Sequence, residues 1–436
     1  MTAQTKAKWL RFLVLILGGG TIYKLASLKD AFYVPIQQYM GLSHTQLGTL
    51  LSANAIIATA LFVVGGYLAD RFATRKLIPL GLIGTGSLGL YLATFPGFDK
   101  MLIVFCLLAV CADCIYWPAL LKAVRNLGEE GEQGRMFGFL EGGRGIVDTL
   151  VAFSALGVFV AMGSGEAGLK SAIVFYSLVD IFAGIITWFL LRDSKTAPAP
   201  KKEDSLSGMS GLLEAIRIPG IWLVSFNVFM VYIVYCGLIY FIPYLKDIYE
   251  LPVALVGAYG IINQYFLKIL GGPAGGFMAD KYFKSPSRYL KWAFLALIPA
   301  MAAVLLVPKG EHFIYIGMAA TLSFALIVFT MRGVFWAPMS EVGIPQRITG
   351  SAFGIACLIG YAPGMFAYVI YGSILDHFPG QQGYNYVFSL MSVLVAFATS
   401  FSKIALPSSL RRLSPRLRLL RWPAAKLVEM PVAISL

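Results

Sequence analysis

Charge is scarce in this chain. Asp, Glu, Lys and Arg supply 13% of its 436 residues, about half of the ~25% found in an ordinary soluble domain. Hydrophobic residues supply 58%, and the mean hydropathy is +0.75, which excludes a water-soluble globule. Trains of ~10-residue segments with alternating polarity are lacking too, which argues against a transmembrane barrel. Only three histidines occur, His44, His312 and His377. They fall in outer, sparsely basic breaks, so a buried imidazole relay is not expected, although an external pH effect stays open. The five cysteines all lie inside apolar runs, where they pack as small residues. Cys111 and Cys114 form a Cys-x-x-Cys without a nearby His or acidic pair, so no metal is expected there. There is no Gly-x-x-x-x-Gly-Lys-Ser/Thr loop for a nucleotide, and no His-Glu-x-x-His or Gly-x-Ser-x-Gly for hydrolysis. Neither an enzyme nor a cofactor is expected.

What the chain does have is apolar runs of about 18 to 25 residues, long enough for a helix to cross ~30 Å of hydrocarbon. Twelve are read, near 10–36, 46–69, 77–95, 101–122, 137–162, 170–191, 221–245, 253–279, 289–307, 312–339, 350–375 and 384–405. The expected fold class is therefore an all-α membrane protein with twelve transmembrane helices. Residues 192–220 include Ala-Pro-Ala-Pro-Lys-Lys-Glu-Asp and several serines, which makes them a hydrophilic linker. It divides an N-terminal six-helix bundle, 1–191, from a C-terminal one, 221–405. A basic, amphipathic tail follows at 406–436, suited to resting on anionic headgroups or simply solvated. Lys6, Lys8 and Arg11 open the chain in the manner of a signal peptide. No cleavage site follows and Lys24 interrupts the run, so a retained first helix is expected.

The net charge of +13 does not point to nucleic acid, because the bases gather in alternate breaks. One side collects the N-terminus, Arg71, Arg75, Lys76, Arg125, Arg135, the linker, Lys281, Lys284, Arg288, Arg347 and the tail. The other holds Lys100, Lys170, Lys246 and Lys309. The positive-inside rule then puts both termini in the cytoplasm.

The two halves repeat one another. Gly65–Lys76 reads Gly-Gly-Tyr-Leu-Ala-Asp-Arg-Phe-Ala-Thr-Arg-Lys, and Gly275–Lys284 reads Gly-Gly-Phe-Met-Ala-Asp-Lys-Tyr-Phe-Lys. Trp117-Pro118 is followed by a loop and Gly134-x-x-Phe-Gly138; Trp336-Ala-Pro338 by a loop and Gly350-x-x-Phe-Gly354. Six-helix halves running in the same direction form two pseudo-symmetric bundles about an axis along the membrane normal, with a binding site near midplane between them.

In this organisation, and in its Gly-x-Leu-Ala-Asp-Arg loop, the chain resembles the major facilitator superfamily over roughly residues 10–405. Gly66, Leu68, Asp70, Arg71 and Arg75 stand at the family's loop positions, while Ala73 replaces its usual second glycine and Thr74 a usual base. Its flavour is similar to bacterial inner-membrane porters grouped with nitrate and organic-anion carriers, of the YihN type, although the glycine-rich signatures of nitrate porters are lacking. The resemblance implies a major facilitator fold in the inner membrane. It also implies a gate in which Gly66, Asp70, Arg71 and Arg75, with Gly276, Asp280 and Lys281, hold the cytoplasmic side shut through a contact between the second and eleventh helices. Independently, Gly65 and Gly66 permit close approach of a neighbour, and Asp70 can cap the next helix. An ordinary basic loop is the plainer alternative.

The remaining signal is charge within the spans, which costs at least ~2.5 kcal/mol per group on insertion scales and usually faces a cavity or a partner. Glu141, Arg144 and Asp148, at i, i+3 and i+7, share a helical face; they form either a cavity strip or a self-satisfied structural pair. Asp113 and Arg332 match in the repeat, each four residues before its tryptophan, and can either face each other across the axis or pair within their own bundles. Lys268 lies near midplane with Asn263 and Gln264 one turn away. Lys24 follows Tyr23 at similar depth, Lys29 and Asp30 lie nearer the outer edge, and Asp180 is expected in a structural pairing. Four midspan bases favour an anionic substrate, such as a carboxylate, sulfonate, phosphate or nitrate.

The expected activity is secondary transport of a small organic or inorganic anion by alternating access, coupled to protons. Lys24, Arg144, Lys268, Arg332, Tyr23 and Asn263 would bind substrate, while Asp113, Glu141 and Asp148 would carry the coupling proton. The expected partners are that anion and the lipid bilayer, with no nucleic acid, for a monomer. The alternatives are an exporter of drugs or metabolites, and a transporter-derived receptor without net flux.

Overall fold

The computed structural model describes residues 3–127, 133–191, 214–342 and 349–418. All regular structure among them is helical, in twelve spans. Span α1 comprises Ala3–Thr21 and Lys29–Met40, α2 is His44–Arg71, and α3 is Thr74–Leu92. Then come α4 (Phe98–Leu127), α5 (Gln133–Ala161) and α6 (Glu166–Leu190). The second half holds α7 (Pro219–Tyr249), α8 (Val253–Phe283), α9 (Pro286–Leu306) and α10 (Ile314–Met339). Span α11 comprises Thr349–Gly360 and Ala367–His377, and α12 is Gln381–Arg418. Eight of the described helices are by themselves long and apolar enough to cross a bilayer.

Local chemistry sets several of the boundaries. Ser43 opens α2 with a capping box: its hydroxyl accepts from the Gln46 N–H, and the Gln46 side chain accepts from the Ser43 N–H. Gly41, at φ 65°, supplies the left-handed residue that closes α1. Ser285 caps α9, with Pro286 at its first position.

Several spans are interrupted. Between Thr21 and Lys29 the backbone of α1 unwinds into turns, just after Gly18-Gly19-Gly20. The sequence reading of a continuous first helix is corrected here. Three consecutive glycines weaken the helix while allowing α5 to approach: a Cβ at Gly19 would stand 2.9 Å from Arg144 Cδ, and one at Gly20 2.6 Å from Val147 Cβ. Span α4 carries a π-helical segment, Val110–Tyr116, and α8 carries two, Ile262–Phe266 and Met278–Phe283. Short 3₁₀ turns break α7 at Leu238–Tyr240 and α11 at Ala362–Met365. Such breaks release backbone groups inside a membrane, where they persist only if buried in protein or lining a cavity.

The halves repeat in packing as well as in sequence. Within the first, α1 packs on α5, α2 on α4 and α3 on α6; within the second, α7 packs on α11, α8 on α10 and α9 on α12. The paired glycines serve the same contact in both. A Cβ at Gly65 would stand 2.6 Å from the Cys114 carbonyl oxygen of α4, and one at Gly275 2.0 Å from the Thr330 carbonyl oxygen of α10. The close neighbour of Gly65 is thus α4 of its own bundle, not α11.

Span α11 does meet α2, but at the opposite end. A Cβ at Gly48 would stand 2.4 Å from the Tyr368 carbonyl oxygen, and one at Gly372 2.5 Å from that of His44. The Asp376 carboxylate accepts from the His44 and Thr45 N–H groups at 3.0 and 2.7 Å, so an acid of one bundle caps a helix of the other. Beside it, Lys29–Met40 of α1 packs on the start of α8, where a Cβ at Gly260 would stand 1.9 Å from the Asp30 carbonyl oxygen. On the face that holds the N-terminus, Gly66 of α2, Gly142 of α5, Gly276 of α8 and Gly354 of α11 have, among the described residues, no atom of a neighbouring element within 4 Å of where a Cβ would stand. The two bundles are joined at the face away from the N-terminus.

Two further readings meet their limits. The linker residues 192–213 and the tail residues 419–436 lie outside the described residues, as does Arg347. The backbone of α12 runs on to Arg418 rather than ending near residue 405.

Candidate functional site

In the N-terminal bundle, the midspan charges collect around the break in α1. Arg144 of α5 donates its Nε–H to the Gly19 carbonyl at 2.8 Å and pairs with Glu141 at 2.7 Å. Its guanidinium lies 4.5 Å over the Trp117 ring. The pair is graded: the Arg144 side chain is 9% exposed and that of Glu141 56%, so the acid stands at the edge of the open side. Tyr23, in the break itself, donates its hydroxyl to Asp113 at 3.0 Å and meets Trp117 edge-on at 6.2 Å. Lys24 turns the other way and pairs with Asp148 at 2.8 Å; its side chain is 1% exposed.

The C-terminal bundle is organised differently. Arg332 of α10 stacks 3.8 Å over the Tyr235 ring, with Tyr232 and Phe329 further around it. Its Nε is buried without a hydrogen-bond partner, and no acid pairs with it among the described residues. Trp336 donates to the Tyr361 hydroxyl at 3.2 Å and completes an aromatic wall. Lys268 of α8 is exposed, also unpaired among the described residues, and within electrostatic reach of Asp148, Glu141, Arg144 and Arg332. It therefore faces the gap between the bundles, where Gly145 of α5 meets Ile269 of α8. Asn263 donates to the Leu238 carbonyl at 3.2 Å, at the break in α7, and leaves its own Oδ1 buried and unpartnered.

The structure thus brings Lys268, Arg332, Arg144 and Glu141 toward one gap. It does not bring Asp113 to Arg332: Asp113 is engaged by Tyr23, and Arg332 by the tyrosines of α7. Matching positions in a repeat need not touch, because each helix also rotates to satisfy its own bundle. Glu141 and Arg144 do form the self-satisfied pair that their spacing allows, and Asp148 leaves that strip for Lys24.

Among the loop residues, Arg71 donates to the Tyr67 hydroxyl at 2.7 Å, Arg75 lies over Trp188 and Lys281 over Phe277. Asp280 is exposed within the second π segment of α8. The side chain of Asp70 lies outside the described residues.

Two residues that sequence reasoning passed over, Tyr265 and Asp376, prove central. Tyr265 of α8 lies across the bundle boundary with its ring 3.5 Å from the Lys24 ammonium, and it donates to Asp30 at 3.0 Å. Asp30 also pairs with Lys29 at 2.7 Å. Asp376 was absent from the charge inventory because it stands at a helix end. A tyrosine in an apolar run carries no signal until the opposite bundle is in view, and Asp30 was read only as an outer-edge charge.

The Major Facilitator Superfamily profile matches residues 30–368. The chain is 50% identical over 414 residues to the inner membrane protein YihN of Escherichia coli K12, covering 94% of this chain and 97% of that one. It is 22% identical over 431 residues to a glycerol-3-phosphate transporter of Bacillus subtilis, covering 91% and 93%. A bacterial homologue of the human lysosomal transporter Spinster, solved inward-facing and unoccupied, superposes with a TM-score of 0.71 at 16% identity, over 96% of this chain and 99% of that one.

Proposed function

This chain belongs to the Major Facilitator Superfamily and is an integral membrane transporter of the YihN type; on that premise we propose that it moves a small anion by alternating access, coupled to protons. One observation carries the proposal: Lys268 and Arg332, two cations without acid partners among the described residues, face the gap between the bundles. A cation within a span and without a counter-ion is costly unless a cavity or a ligand compensates it; Lys268 is exposed to the gap, and the Arg332 Nε is buried without a partner. Arg332 can offer a planar fork to a carboxylate, sulfonate or phosphate, backed by the ring of Tyr235. Lys268 adds a point charge from α8, and Arg144, already neutralised by Glu141, borders the gap from α5. The glycerol-3-phosphate named for the Bacillus relative is an anion of this size. With the basic loops on the cytoplasmic side, the joined face away from the N-terminus is the outer one, which reads as an inward-open state, and we assign the closing contact to Gly66, Arg71, Arg75, Gly276 and Lys281.

The test is a thermal-shift screen of the purified protein against small carboxylates, sulfonates, phosphates and nitrate, followed by flux in proteoliposomes with and without a pH gradient. An anion present at about a hundred times its Kd should stabilise the wild type by ~2.7 kcal/mol. Arg332→Gln and Lys268→Gln should each remove most of that shift. Stabilisation by neutral apolar compounds that survives both substitutions would point to an exporter, and binding without flux to a receptor.

A further inference from the structure

Inside the N-terminal bundle, on the far side of Lys24 from the gap, stands an acid that the transport reading does not use. Asp180 of α6 is fully buried, and neither carboxylate oxygen has a hydrogen-bond partner. The groups that face it come from each element packed around it. Span α1 brings Thr21, whose hydroxyl donates to the Gly18 carbonyl at 3.3 Å and lies near enough to turn to the carboxyl instead, and the Lys24 ammonium. Span α4 brings Tyr116, whose hydroxyl is buried and also unpartnered. Span α5 brings Asp148, held beyond Lys24, and α6 itself brings Tyr176 one turn earlier. Span α3 packs along α6 and offers the hydroxyl of Thr85, buried without a partner, and no ionisable group at that depth.

Counting charge decides the state of this cluster. Lys29 is paired with Asp30 and Lys24 with Asp148, which leaves Asp180 as one carboxylate in excess. A buried ionised carboxylate without a partner costs far more than a neutral carboxyl group that misses a hydrogen bond. The neutral form wins.

We propose that Asp180 is a proton-binding site, and that Asp180 and Asp148 share one proton whose position is set by which of them Lys24 pairs with. In the state seen, Lys24 sits with Asp148 and the proton is on Asp180. When the unwound segment 22–28 carries the ammonium across to Asp180, the proton passes from Asp180 to Asp148, which its partner has left. The three groups stay neutral throughout: one ammonium, one carboxylate, one carboxylic acid. The Asp148 side chain is 12% exposed whereas Asp180 is fully buried, so the two positions of the proton differ in their access to solvent. This rests on the alternating-access reading, but not on the nature of the substrate.

The experiment uses the full-length protein in lipid, without substrate. Infrared spectra near neutral pH should show a protonated carboxyl stretch that shifts in D₂O and is lost in Asp180→Asn. A single pair of spin labels across the N-terminal mouth should report a wild-type distance distribution that does not change with pH while that carboxyl band persists, because both positions of Lys24 hold one proton, and that shifts in Asp180→Asn and in Lys24→Met. A wild-type spectrum without any protonated carboxyl band overturns the proposal whether or not the variants fold. So does a band unchanged by Asp180→Asn, a distance distribution that Asp180→Asn and Lys24→Met leave as in the wild type, or a sodium-dependent thermal shift that Asp180→Asn abolishes, which would make the site a cation site instead. None of these outcomes depends on anion stabilisation, so a failure here is separable from failure of the anion reading.

Discussion

At the scale of single residues, the buried cations of the N-terminal bundle are each held by a carboxylate, Lys24 by Asp148 and Arg144 by Glu141. Lys24 was read as a substrate ligand by its depth, and the structure gives it a carboxylate at 2.8 Å and an aromatic face at 3.5 Å. Removing one member of such a buried pair leaves the other uncompensated. Lys24→Gln should therefore lower stability by about 3–5 kcal/mol, and Lys24→Gln with Asp148→Asn should recover much of it, as measured by thermal unfolding in a double-mutant cycle. A purely additive cycle would deny the pair. Tyr265 gives a graded prediction. Tyr265→Phe keeps the ring over Lys24 and loses the bond to Asp30, a change of about 1 kcal/mol. Tyr265→Leu loses the cation–π contact as well, about 2 kcal/mol more at a desolvated site. Because Tyr265 comes from the opposite bundle, both losses should appear in the same state-dependent distance measurement, whereas a residue that only packed its own bundle would leave that readout unmoved.

At the scale of elements, apolar length was enough to find the twelve spans, since a helix in hydrocarbon must satisfy its backbone within itself. The interruptions were less visible. Three glycines foreshadow the break in α1, and Pro363 marks the turn in α11, but the π segments in α4 and α8 have no comparable signature. They depend on how each helix must shift to seat Asp113 or Asn263 against its neighbours. The glycine pairs separate into two kinds, and this can be checked. Gly65→Ala and Gly275→Ala drive a Cβ into the backbone of α4 and α10, so each should cost about 1–3 kcal/mol of stability as overpacking. Gly66→Ala and Gly276→Ala point into open space in this state and should melt like the wild type. Equal melting temperatures for all four would show that the helix pairs are not this close.

At the scale of the whole molecule, the joined face is the testable feature. Gly48 and Gly372 bring α2 and α11 backbone to backbone, and Asp376 closes the contact by capping α2. In a background with the five native cysteines replaced, Gly48→Trp should pry this face apart. A single cysteine at Ala55, beside Gly364 in the same interface, should then react with an impermeant maleimide added to that face faster than in the parent. An unchanged rate would mean that the bundles do not separate there. By itself the sequence determined the membrane class, the helical fold, the internal duplication and the inventory of buried charge, because hydrophobic length, loop composition and repeated motifs are local properties. Only the tertiary structure decided that Lys24 belongs to Asp148, that Arg332 and Lys268 stand free of acids among the described residues, that Tyr265 and Asp376 bridge the bundles, and that Asp180 has no partner. Those outcomes depend on distances between helices remote in the chain, and on which of two alternating contacts, one on each face of the membrane, is closed.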